Sequence, residues 1–259
     1  MNEEVIRLSL WQVAIAYVFV VLVLIMLRRR GIRRETTLLL ASVRMTLQLV
    51  AVGFVLMAVF ENPHPLATAG IVLLMVGFAV YTLFRKFKKD LTPALRRVIA
   101  ISMPIGTVPV LLFFLWLVIG IDPLYDPQYV IPITGMIVGN SMTGISLGVH
   151  TLLSRLKNNR AEVEEALALG ATPKQASNDI VNDAFDAAIT PTLNSMLGMG
   201  IIFLPGMMTG QILSGVDPTL AILYQIVIML GILGGVSMTT YLFLTIGVKA
   251  FFTAEKQLV

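Results

Sequence analysis

Seven apolar runs, at residues 8–27, 36–60, 65–84, 98–121, 129–153, 187–205 and 219–248, fill most of this 259-residue chain. A hydrocarbon layer about 30 Å thick requires about 20 apolar residues of a helix. All the runs but the sixth meet that requirement, and the sixth is marginal. With 57% hydrophobic and 13% charged residues, the chain holds too few charges to cover a water-facing globule. The sequence therefore predicts an all-α polytopic integral membrane protein of about seven transmembrane helices. Its connections are too short for a separate soluble domain, so 1–259 reads as one membrane domain. The first run exceeds the apolar core of a secretory signal, is followed by Arg28-Arg29-Arg30 and lacks a small-residue cleavage site, and it reads as a retained span.

The basic residues set the expected orientation. Seventeen of the nineteen Lys and Arg lie between runs one and two, between runs three and four, after run five and after run seven; only Arg7 and Arg44 fall elsewhere. The remaining connections, around Glu61-Asn62-Pro63-His64-Pro65, Asp122 to Asp126 and Asp217-Pro218, carry acids and prolines and no basic residue. Cytoplasmic loops carry the excess of Lys and Arg, so the expectation is N-out and C-in. Basic residues clustered in short loops leave no amphipathic face for nucleic acid. A chain with no cysteine has no disulfide framework and no thiolate metal site.

After run five the chain turns polar for about 30 residues, and 154–186 holds six of the fifteen acids. Glu162 to Leu169 are strong helix formers, Gly170 suits a left-handed closing position, and Thr172-Pro173 suits a cap and a new helix start. A short helix, turn and helix projecting from a membrane domain has no core of its own and is expected to dock into a partner.

Glu164, Glu165, Ala166, Gly170, Ala171, Thr172 and Pro173, with Ile180 ten residues after the glycine, resemble the EAA loop of ABC-transporter permeases. Glu165 stands where the loop carries Ala, and Asn182-Asp183 stand where Leu-Pro usually follows the isoleucine. The resemblance implies that 154–186 is a cytoplasmic coupling loop that seats on an ATP-binding subunit. No G-x-x-x-x-G-K-[ST] phosphate loop occurs in the chain, so the implied ATP and magnesium belong to a separate partner chain and this one carries no cofactor.

Arg44-x-x-x-Gln48, the stretch from Ile131 to Met142, Leu204-Pro205-Gly206-Met207-Met208-Thr209-Gly210-Gln211-Ile212-Leu213 and Tyr224-Gln225 are similar to the FetB/UPF0014 family. That resemblance implies a homodimeric, multi-pass permease of the inner membrane that works with a cytoplasmic ATPase. Bacterial members are associated with iron export and metal tolerance, plant members with aluminium tolerance and proposed nucleotide-sugar transport. A metal ion is therefore the first cargo to consider and a nucleotide sugar the second. A secondary transporter without an ATPase is the competing class, and it would normally carry intramembrane acids for ion coupling; none lies deep in a run here.

Several residues have both a pathway reading and a plainer one. Arg44 lies deep in a run with Gln48 one turn away, on the pathway or dimer interface, or else snorkelling toward headgroups. Asn140, Ser141 and Met142 sit mid-run between Gly135-x-x-x-Gly139 and Gly144-x-x-x-Gly148, lining a path or packing helices closely. Met207 and Gln211 lie in an interrupted Gly-rich block, which marks a gate or an external turn. Asp179, Asp183 and Asp186 share one helical face and form the candidate metal set, with Asp186 also on the pathway; their plainer reading is a solvated face, or salt bridges to basic residues of the partner or of the 155–160 stretch. Most of the fourteen methionines read as core filler. Gly144-Ile145-Ser146-Leu147-Gly148 matches a hydrolase nucleophile pattern, but that chemistry needs a strand-turn-helix elbow, and this stretch lies inside an apolar run.

Overall fold

The computed structural model describes residues 9–88, 90–252 and 257. Leu8 of the first run and the basic residues Arg7, Lys89 and Lys256 lie outside the described residues. The described elements are helical: α1 (Leu10–Ala16), α2 (Val18–Arg29), α3 (Glu35–Glu61), α4 (Pro65–Lys86), α5 (Pro93–Phe113), α6 (Pro127–Asn158), α7 (Arg160–Ala168), α8 (Pro173–Ala176), α9 (Asn178–Gly198), α10 (Gly206–Leu213) and α11 (Pro218–Gly247). A π-helical turn, Phe114–Ile119, continues α5, and a 3-10 turn, Val248–Phe251, continues α11. Among the described residues, six spans are long and apolar enough to cross a membrane, with α1 and α2 counting as one.

Two compact units divide the chain. The first holds α1, α2 and α3, joined where the Tyr17 hydroxyl meets the Ser42 carbonyl at 3.4 Å and the Thr46 hydroxyl. None of its helices buries a residue, as expected of helices apolar on every side, which suit a surround of lipid or other protein. The second unit packs α4, α5, α6, α9 and α11.

Contacts at glycines give the directions within the second unit. A methyl built on Gly106 of α5 would lie 2.5 Å from Thr239 Cα of α11, and one on Gly231 of α11 would lie 2.8 Å from the Phe114 ring, so these helices run antiparallel. Gly235 meets Ile137 and Gly144 meets Val236, so α6 and α11 run parallel. Gly144 and Gly148 face the carbonyls of Ala188 and Ala184, which makes α9 antiparallel to α6. Without a hydrophobic drive between helices in lipid, close backbone approach at small residues supplies the packing. The Gly144-x-x-x-Gly148 pair serves it, whereas Gly139 has nothing within 4 Å of a built methyl.

The sixth apolar run requires correction. The helix begins at Asn178 rather than 187 and ends at Gly198 rather than 205. Ile180, Ala184, Ala188 and Thr192 make its buried stripe. The aspartates lie off that stripe, so the helix extends through a stretch that an average of hydropathy scores as loop. At 21 residues it is about 31 Å long, enough to run the depth of its neighbours. Gly200, at φ +82°, then turns the chain, and Met199 bridges to Phe203.

Candidate functional site

Of the polar stretch 154–186, residues 154–158 continue α6 and 178–186 open α9, leaving 159–177 as the projecting part. Helix α7 forms from good helix formers and is tied by Arg160 Nε donating to Glu164 Oε1 at 2.7 Å, one turn apart. Val163 is buried, and Leu167 packs with it against the main core cluster, which anchors the helix. Gly170, at φ +93°, ends it. The Gly170 N–H donates to the Leu167 carbonyl and the Ala171 N–H to the Ala166 carbonyl, each at 3.0 Å. This pair of bonds satisfies carbonyls that a helix end otherwise leaves open. Thr172 then caps α8: its N–H donates to Gln175 Oε1 at 2.9 Å, and its hydroxyl accepts from the Gln175 N–H. Pro173 takes the first helical position. Glu164, Glu165 and Leu169 are exposed, Leu169 to 84%. A rigid turn thus holds an apolar side chain in the open.

The three aspartates of α9 stay spread over about 10 Å of helix. Asp183 Oδ2 lies 2.9 Å from Arg155 Nη2 of α6, while Asp179 and Asp186 are exposed. Among the described residues, no three of His, Cys, Asp and Glu are grouped so as to hold a metal ion.

In the first unit, Arg44 is half-buried and Gln48 exposed on α3. In the second, Asn140, Ser141 and Met142 point three ways. Asn140 is exposed, and its Nδ2 donates back to the Met136 carbonyl at 2.7 Å. Met142 packs against the main core cluster, and Ser141 is fully buried. Met207 and Gln211 of α10 are half-buried, with Met207 against the cluster that contains Ile133 and Ile228. Ser146, of the hydrolase-like pattern, lies within α6 and accepts from the Lys86 ammonium; no nucleophile elbow forms there.

Ser141 belongs to a larger set that the run-by-run reading missed. Its hydroxyl, with those of Ser102, Thr134, Thr239 and Thr240 and the Gln225 Oε1, is buried without a hydrogen-bond partner. Elsewhere Thr82, Thr143, Thr190 and Ser195 satisfy their hydroxyls on the carbonyl four residues back. Each buried polar group left unmade costs about 1–3 kcal/mol, so this concentration is unusual in an apolar core. The signal in the sequence was the cluster Ser237, Thr239 and Thr240, with Gln225 earlier in the same largely apolar run.

The comparisons with known proteins agree with this frame. The family described as Uncharacterised protein family (UPF0014) matches residues 10–252. The UPF0014 membrane protein YjkA of Bacillus subtilis is 33% identical over 95% of this chain and 96% of its own length. The Probable iron export permease protein FetB of Escherichia coli is 33% identical over 95% of this chain and 93% of its own. Protein ALUMINUM SENSITIVE 3 of Arabidopsis thaliana is 34% identical over 95% and 88%. No solved structure matches. With its multi-pass helical fold and a family match over nearly its whole length, the chain is a member of the UPF0014 family.

Proposed function

We propose that this chain is the membrane-spanning subunit of an ATP-driven ABC exporter whose cargo is iron or a related metal ion. It works as a homodimer in the inner membrane, N-out and C-in, and each copy docks one cytoplasmic ATPase through 164–173. The observation that carries the reading is the 159–177 segment. It is anchored by Val163 and Leu167, closed at Gly170 and capped at Thr172, and it presents exposed Leu169 beside Glu164 and Glu165. A rigid turn with an exposed apolar knob suits a cleft on another protein, because little ordering entropy is left to lose on docking. The Escherichia coli relative, whose name states iron export, supports the direction and the cargo. Nucleotide-driven closure of the ATPase pair would shift the permease between inward-open and outward-open states through differential contacts.

The test is iron(II) movement in proteoliposomes that hold this chain and its co-purified ATPase. ATP-dependent movement that disappears with Glu164→Arg plus Gly170→Pro supports both docking and cargo. ATPase coupling without metal movement refutes the cargo, and undiminished association in the double variant refutes the docking segment.

A further inference from the structure

The unpartnered hydroxyls lie on α5, α6 and α11, and three of them are set against a glycine of a neighbouring helix. Ser141 Oγ lies 3.3 Å from a methyl built on Gly235, Thr240 Oγ1 lies 3.2 Å from one on Gly144, and Thr239 Oγ1 lies 2.5 Å from one on Gly106. From Gly235 to Thr240 is about 7.5 Å along α11, so the three oxygens fall within about one and a half turns of that helix. Thr134 and Gln225 extend the same α6 and α11 faces toward the other end. A glycine Cα–H offers an oxygen only a weak contact and leaves the hydroxyl proton without an acceptor. Ile137 packs into the Gly235 notch and Val236 into that of Gly144, so apolar contacts hold the seam shut while the hydroxyls beside them contribute no hydrogen bond to it.

We propose that this seam is the cargo path of the protomer, closed in the present state, and that Ser141, Thr239 and Thr240 line it when the helices part. The inference rests on the exporter reading above and gives its cargo a chemical class: a partly hydrated, oxygen-seeking divalent cation. Hard cations take oxygen donors and keep part of their water shell. Neutral hydroxyls bond to that water and to the ion, and with no carboxylate among the unpartnered groups the ion is not held so tightly that it cannot leave. Burial of unpaired hydroxyls raises the free energy of the closed state relative to a hydrated open one, which favours opening.

The chain has no cysteine, so single cysteines can report on this seam. Full-length Ser141→Cys and Thr240→Cys are placed in membrane vesicles with the partner ATPase and treated with a water-soluble thiol reagent, with and without ATP. Ile145→Cys, buried in the apolar core on the same helix, is the control. The expected result is labelling at 141 and 240 at least about tenfold faster than at 145 while the cycle runs; equal inertness at all three positions overturns the seam. In parallel, Ser141→Ala with Thr240→Val is expected to raise the melting temperature and to abolish iron(II) transport. Raised stability with transport intact would assign the hydroxyls to packing alone and overturn the proposal. If the unsubstituted protein moves no metal ion, the cargo reading fails and the cation assignment with it, whereas the labelling result decides the seam independently.

Discussion

Arg155 Nη2 and Asp183 Oδ2 sit 2.9 Å apart, joining the end of α6 to the start of α9 across the root of the projecting segment. Both side chains are about half exposed, at 50% and 45%. An ion pair in such a setting contributes about 0.2–1 kcal/mol. Asp183 therefore makes a salt bridge of the kind that one of its two sequence readings named.

A double-mutant cycle on Arg155→Gln and Asp183→Asn should return a coupling energy below about 1 kcal/mol in thermal unfolding. Metal transport should be unchanged in Asp183→Asn. A loss of transport with stability retained would support the metal-ligand reading of the α9 aspartates.

The glycines divide by what faces them. Gly106→Ala sets a methyl 2.5 Å from the Thr239 backbone, which cannot give way as a flexible side chain would. It should cost about 1–3 kcal/mol in overpacking. Gly139→Ala meets nothing within 4 Å and should raise stability by up to about 1 kcal/mol through helix propensity. Melting curves of the two variants in one detergent check the contrast.

Leu169→Asp alters a side chain that is 84% exposed, so the melting temperature should stay at the wild-type value. Co-purification of the ATPase and its permease-stimulated hydrolysis should both fall at least about tenfold, as for a truncated interface anchor. Retention of both activities would move the docking surface away from the turn.

Thr172→Ala removes both side-chain bonds of the cap over α8 and should destabilise the segment by about 1 kcal/mol. Proteolysis of 159–177 gives the readout. Cleavage should accelerate in this variant while the melting of the five-helix unit stays where it is, because the cap touches only the local turn.

The sequence by itself determined what depends on neighbours along the chain. Run lengths placed seven spans, and six helices among the described residues are long and apolar enough to cross a membrane, since a helix satisfies its own backbone and needs only enough apolar residues. Gly170 and Thr172-Pro173 announced a helix stop and start because a left-handed closure and a cap are made by residues within four positions of each other. The family was legible for the same reason, in contiguous blocks such as Leu204 to Leu213.

Only the tertiary structure decided what depends on a partner helix. The α9 aspartates did not break their helix, because the stripe of Ile180, Ala184 and Ala188 is stabilised against α6 and α11, and averaged hydropathy does not resolve faces. Asn140 and Ser141 are adjacent in sequence and both polar, yet Asn140 folds back on its own helix in the open and Ser141 is sealed against Gly235. Which hydroxyl is buried follows from the crossing of α6 with α11, and that crossing is set by contacts about a hundred residues apart in the chain.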